Sequence, residues 1–146
     1  MALRPAPRPV PLSTVVDGVA TASVVPDVDV TGLTHDSAEV RPGDVFVALP
    51  GRTTHGARFA AAAVDAGAVA VVTDAAGAAQ CAGLPVAVVV VDSPRARLGE
   101  LAARAYGRPA DDLVLLGVTG TNGKTTVAAM VESGLRAAGH VTGIIG

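Results

Sequence analysis

Apolar residues fall along this chain in short blocks of two kinds. Val45–Leu49, Ala68–Thr73 and Val86–Val91 are brief runs rich in β-branched side chains, the length of buried strands. Val28–Thr34, Leu113–Val118 and Val141–Ile145 have the same character. Between them lie segments with helical spacing: Leu12–Val19, with Ser13 as its cap; His55–Ala66, stopped by Gly67; Ala75–Ala82; Pro94–Tyr106, with Ser93 before Pro94 as its cap; and Val127–Ala138. Arg41-Pro42-Gly43-Asp44 reads as a turn, and Gly107-Arg108-Pro109 as a breaker cluster and linker. Strands alternating with helices predict an α/β fold with a mostly parallel sheet.

Composition narrows this picture. Half of the 146 residues are hydrophobic but only 2% are aromatic, so the core must be built from Ala, Val, Leu and Ile. A net charge of −2 with scattered arginines gives no basic stripe and no support for nucleic-acid binding. Cys81 is the one cysteine, which excludes an internal disulfide and predicts a small buried hydrophobe. Met1–Pro11 carries Arg4, Arg8 and repeated prolines with no apolar stretch after it, an extended arm rather than a secretory signal. No apolar run is long enough to span a bilayer, so the expectation is a cytoplasmic protein without membrane contact.

The chain's one lysine, Lys124, stands in Gly117-Val118-Thr119-Gly120-Thr121-Asn122-Gly123-Lys124-Thr125-Thr126, between a predicted strand and a predicted helix. Strand, glycine-rich turn, Lys-Thr and helix form the layout of a phosphate-binding loop. Glycines at 117, 120 and 123 free the backbone for positive φ and close approach, and the turn and helix start offer N–H donors to an anion. Lys124 is a point charge for β- and γ-phosphates, and the Thr125 hydroxyl suits Mg²⁺. Val118 replaces the first glycine of the general pattern, so the glycines read G-x-x-G-x-x-G-K-T.

Gly120-Thr-Asn-Gly-Lys-Thr-Thr126 resembles the ATP site of the Mur ligases, the amide-forming enzymes of peptidoglycan synthesis. Upstream, Leu33-Thr-His-Asp-Ser37, Val40-Arg-Pro-Gly-Asp-Val-Phe-Val-Ala-Leu-Pro-Gly51 and His55-Gly56 are similar to the uridine-nucleotide domain of the MurE type. The resemblance runs from about Val30 onward. It implies a Rossmann-like domain for the UDP-linked substrate over 12–109, after an arm at 1–11, and the first βαβ unit of a P-loop ATPase domain over 110–146. It further implies that His35, Ser37 and Arg52-Thr53-Thr54 hold the UDP part of UDP-N-acetylmuramoyl-L-alanyl-D-glutamate. Gly120, Thr121, Asn122, Gly123, Lys124, Thr125 and Thr126 would bind ATP, with Lys124 catalytic and Thr125 near Mg²⁺. The implied reaction adds a third amino acid, diaminopimelate or lysine, through an acyl phosphate. Arginine and alanine-valine usage point to a GC-rich bacterial genome, which leans toward diaminopimelate. Ala38 departs from the family's usual arginine after Asp-Ser.

Three other readings compete: a MurF-type ligase, whose loop usually carries Gly-Ser before x-Gly-Lys-Thr; a regulatory nucleotide switch; and a UDP-sugar binding module without catalysis. From the residues alone, Asp36 and Ser37 suit an Asx turn closing a strand. His55 suits packing or capping at its helix start, His140 a helix end, and Asp111-Asp112 a solvated linker. A second region with two strands and one helix is too small to cover a parallel sheet. The expectation is therefore the monomeric front part of a longer protein, without ligase turnover on its own.

Overall fold

A computed structural model describes residues 8–21 and 26–145. The chain divides into two compact units, Met1–Asp112 and Leu113–Gly146.

The first unit is built on four parallel strands, β3 (Gly32–Thr34), β4 (Asp44–Val47), β5 (Ala70–Thr73) and β6 (Ala87–Val90), adjacent in chain order. Their register sets Leu33 beside Val45, Val45 beside Ala70 and Ala70 beside Ala87. Successive side chains point to opposite faces of a strand, and the core divides accordingly. On one face Val45, Val47, Ala70, Val72 and Val89 meet Leu12 and Val15 of α1 (Leu12–Val15) and Leu101 and Ala105 of α4 (Pro94–Ala105). On the other, Phe46, Ala48 and Val71 meet Ala57, Ala60 and Ala63 along a 3₁₀ turn (Gly56–Phe59) and α2 (Ala60–Asp65), with Cys81 just beyond α3 (Ala75–Gln80). Both faces are covered, as a parallel sheet requires. Burial pushes the Cys81 thiol pKa up, in keeping with its reading as a small core residue.

Several boundaries differ from expectation. Val28–Thr34 is two strands: β2 (Asp29–Val30) pairs antiparallel with β1 (Val10–Pro11), and only β3 joins the main sheet. The break falls at Thr31, whose N–H and hydroxyl both turn to the Pro42-Gly43 corner. Of the arm expected over 1–11, residues 1–7 lie outside the described ones, and its end is β1. Pro11 rather than Ser13 stands at the N-cap position of α1, and Ser93 stands at the N-cap of α4 as expected, with φ +52 and no side-chain cap bond.

β3 is an edge strand of the sheet, and the chain's one tyrosine covers its outer side. The Tyr106 hydroxyl accepts from the Leu33 N–H at 3.2 Å and donates to the Leu33 carbonyl at 3.3 Å. One side chain thus satisfies both backbone groups that an edge strand leaves open.

In the second unit the ordered element is α5 (Lys124–Ala137). Leu113–Val118 and Val141–Ile145, expected as strands, join no ladder among the described residues, and Val114, Val141 and Ile145 stand exposed. A parallel strand needs a paired neighbour and cover on both faces, and among the described residues these two stretches pair with nothing and stand largely exposed. No helix of the described residues is long and apolar enough to cross a membrane.

Candidate functional site

In open α/β sheets ligands gather outside the carboxyl ends of the strands. Here that edge carries the segments that follow β3, β4, β5 and β6. His35, Asp36 and Ser37 follow β3; Arg52, Thr53 and Thr54 follow the adjacent β4. The topology thus brings the expected substrate residues of the first unit to one edge.

The turn after β3 is held by its own side chains. The Asp36 carboxylate accepts from the Ala38 N–H at 2.9 Å, and the Thr34 hydroxyl accepts from the Asp36 N–H at 3.1 Å. This is the Asx turn read from sequence, and it starts a short 3₁₀ turn at Ser37. His35 is exposed and Ser37 half-buried.

The loop after β4 is closed at its base. Pro50 and His55 form an antiparallel bridge, and the Gly56 N–H donates to the Leu49 carbonyl at 2.8 Å. Arg95, in the first turn of α4, donates to the Pro50 carbonyl at 3.1 Å. The loop folds closely on itself, for a Cβ on Gly51 would lie 2.3 Å from the Thr54 carbonyl oxygen. Arg52 and Thr53 at the tip are exposed. Beneath the base, the Thr73 hydroxyl donates to the Ala48 carbonyl at 3.0 Å, fully buried.

In the second unit, φ is +153° at Gly120 and +77° at Gly123, a region that glycine alone enters without strain. Gly117 is not among the positive-φ residues, so the conformational reason expected for it does not apply. The helix begins at Lys124 rather than Val127, which places Thr125 and Thr126 in its first turn. Val127 donates the first intrahelical bond, to Gly123, leaving the N–H groups before it for an anion. The Lys124 ammonium reaches back to the Gly120 carbonyl at 2.7 Å. Exposed N–H donors, one ammonium and adjacent hydroxyls make a donor set that fits a polyphosphate with its divalent cation. Were such a group bound, the Thr125 hydroxyl would be available to the cation and the Lys124 ammonium to the phosphates.

Other sequence readings resolve plainly. His55 caps its 3₁₀ turn, with Nδ1 accepting from the Ala57 N–H. Asp111 pairs with Arg108 at 2.7 Å in the exposed linker. Sequence reasoning assigned no role to Asp74, Arg95 or Tyr106. Asp74 carried a local signal, an acidic cap before a run of small residues, but its partner in space did not.

The chain is similar to known proteins of one family. The Mur ligase family, catalytic domain, matches residues 29–106. The UDP-N-acetylmuramoyl-L-alanyl-D-glutamate--2,6-diaminopimelate ligase of Streptomyces coelicolor is 51% identical over 145 residues, covering 96% of this chain. A crystal structure of MurF ligase from Thermotoga maritima in complex with ADP is 30% identical, with a TM-score of 0.55, over 73% of this chain and 23% of that one. A solved UDP-N-acetylmuramoyl-L-alanyl-D-glutamate--2,6-diaminopimelate ligase is 27% identical, with a TM-score of 0.66, over 91% of this chain and 26% of that one. The chain spans 28% of the length of the Streptomyces relative.

Proposed function

Because the chain belongs to the Mur ligase family, we propose that it forms the front part of a cytoplasmic, monomeric ATP-dependent ligase of the MurE type. On this reading residues 12–109 bind UDP-N-acetylmuramoyl-L-alanyl-D-glutamate, and 110–146 begin the ATP-binding domain. The observation that carries it is the identity of 51% over 96% of the chain with a relative bearing that substrate in its name. MurF-type fold likeness, at 30% identity, is weaker. Thr121-Asn122 also departs from the Gly-Ser usual in the MurF loop.

The chemistry divides between the units. Loops 35–37 and 51–54 hold the uridine nucleotide through hydroxyls, His35 and the Arg52 guanidinium. Lys124 and the N–H groups of 120–126 hold the triphosphate and draw charge from the γ-phosphoryl group as it passes to the substrate's D-glutamate carboxylate. Thr125 would help hold Mg²⁺ through its hydroxyl, and the ion would supply further neutralisation of the phosphate oxygens. The amine of diaminopimelate then attacks the resulting acyl phosphate and expels inorganic phosphate, leaving an amide.

Calorimetric titration of the chain with UDP-N-acetylmuramoyl-L-alanyl-D-glutamate and with Mg-ATP tests the division. Lys124→Ala is expected to weaken ATP binding by at least about a hundredfold, the loss of a charge-assisted contact, and to leave the UDP-substrate affinity unchanged. ATP affinity unaltered by Lys124→Ala would sink the assignment.

A further inference from the structure

The loop proposed to hold the UDP group depends on a side chain that substrate-contact reasoning passes over. The His55 imidazole is engaged at both ends. Nδ1 accepts from the Ala57 N–H at 3.0 Å, so the ring proton lies on Nε2, and Nε2 faces Asp74 Oδ1 at 3.0 Å. Asp74 Oδ1 also accepts from the Gly77 N–H at 2.8 Å, which anchors the carboxylate to the first turn of α3. Both side chains are mostly buried, 15% and 27% exposed, where a charge-assisted bond is screened less than at the surface.

Two further observations show that the ring's position is specified. A Cβ on Gly77 would come within 2.5 Å of His55 Cε1 and 2.0 Å of Thr73 Oγ1, so the helix start keeps a glycine where the imidazole lies. The bridge between Pro50 and His55 makes His55 one foot of the loop, while Arg95 holds the other through the Pro50 carbonyl. Between the feet, Arg52 and Thr53 are exposed, so the loop's conformation is set at its base rather than by packing at its tip.

We propose that His55 is a positioning residue for the nucleotide substrate: its Nε2–H bond to Asp74 ties the base of the 51–54 loop to the end of β5 and fixes the loop before a uridine diphosphate group arrives. A loop already ordered loses less freedom on binding, and that difference appears as affinity. The inference rests on the reading that 51–54 contacts the UDP group.

Two substitutions separate the ring's two bonds. His55→Asn keeps an acceptor at the place of Nδ1 and removes the reach to Asp74; His55→Gln keeps a donor at the place of Nε2 and gives up the cap. Amide hydrogen exchange of Arg52, Thr53 and Thr54 and calorimetry with UDP and with UDP-N-acetylmuramoyl-L-alanyl-D-glutamate give independent readouts, with Mg-ATP affinity as the control. His55→Asn is expected to speed loop exchange and weaken both uridine ligands by about tenfold, while His55→Gln stays within about threefold of wild type. Gly77→Ala, which crowds the ring without removing its nitrogens, is expected to follow His55→Asn and stands in for it if that variant does not fold. Unchanged loop exchange in both His55→Asn and Gly77→Ala overturns the clamp while leaving the substrate reading intact. Faster exchange with unchanged uridine affinity, or no uridine binding by the wild type, overturns the contact between this loop and the UDP group, and the positioning role with it.

Discussion

Two loops in this chain are proposed to receive phosphates, and they are built in opposite ways. The 51–54 loop stands on side chains brought from elsewhere: His55 on Asp74, Thr73 on the Ala48 carbonyl and Arg95 on the Pro50 carbonyl. The 120–126 loop stands on its backbone, with positive φ at Gly120 and Gly123 and a lysine turned onto its own strand of chain. Their surroundings differ likewise. The first loop leaves a sheet buried on both faces; the second is flanked by exposed Leu115, Leu116 and Met130. A backbone-built loop can be written in a few adjacent residues. One built from side chains requires the whole sheet to be folded first.

This contrast can be broken at its larger end by Phe46→Ala. Phe46 is the largest fully buried side chain of the first unit, and truncation is expected to cost about 3–5 kcal/mol in urea unfolding. A cost below about 1 kcal/mol would mean that the face it shares with Ala60 and Ala63 is not the closely packed layer described.

Tyr106→Phe probes the middle of the range. It keeps the ring but removes the hydroxyl that serves Leu33, and is expected to cost about 1–2 kcal/mol. Faster amide exchange at Leu33 should accompany the loss. Stability and exchange identical to wild type would show that β3 does not need that cover.

Met130→Ala, on the exposed side of α5, is expected to change stability by no more than about 0.5 kcal/mol. A core-sized loss there would erase the distinction between the two units.

The same contrast explains what the sequence disclosed. β4, β5 and β6 were legible because their apolar runs are bounded by glycine, proline and aspartate within a few residues. The Arg41–Asp44 turn and the Asp36 turn were legible for the same local reason. The Gly-Lys-Thr loop could be read because its support is its own backbone. What escaped was decided at a distance. Tyr106 meets Leu33 across 73 positions and Arg95 meets Pro50 across 45, and no local pattern encodes either partner. The unpaired stretches at 113–118 and 141–145 failed in the other direction: their residues favour strands, but pairing needs neighbours that propensity does not provide.

Tyr106 has one more consequence. With no tryptophan and no second tyrosine, it is the chain's one strong near-ultraviolet chromophore and its source of intrinsic emission. Its hydroxyl touches Leu33, two residues before His35, so the signal originates beside the proposed nucleotide edge. A displacement of β3 on ligand binding would change the phenol's environment directly. This chain therefore carries an optical reporter of such a displacement, without a label.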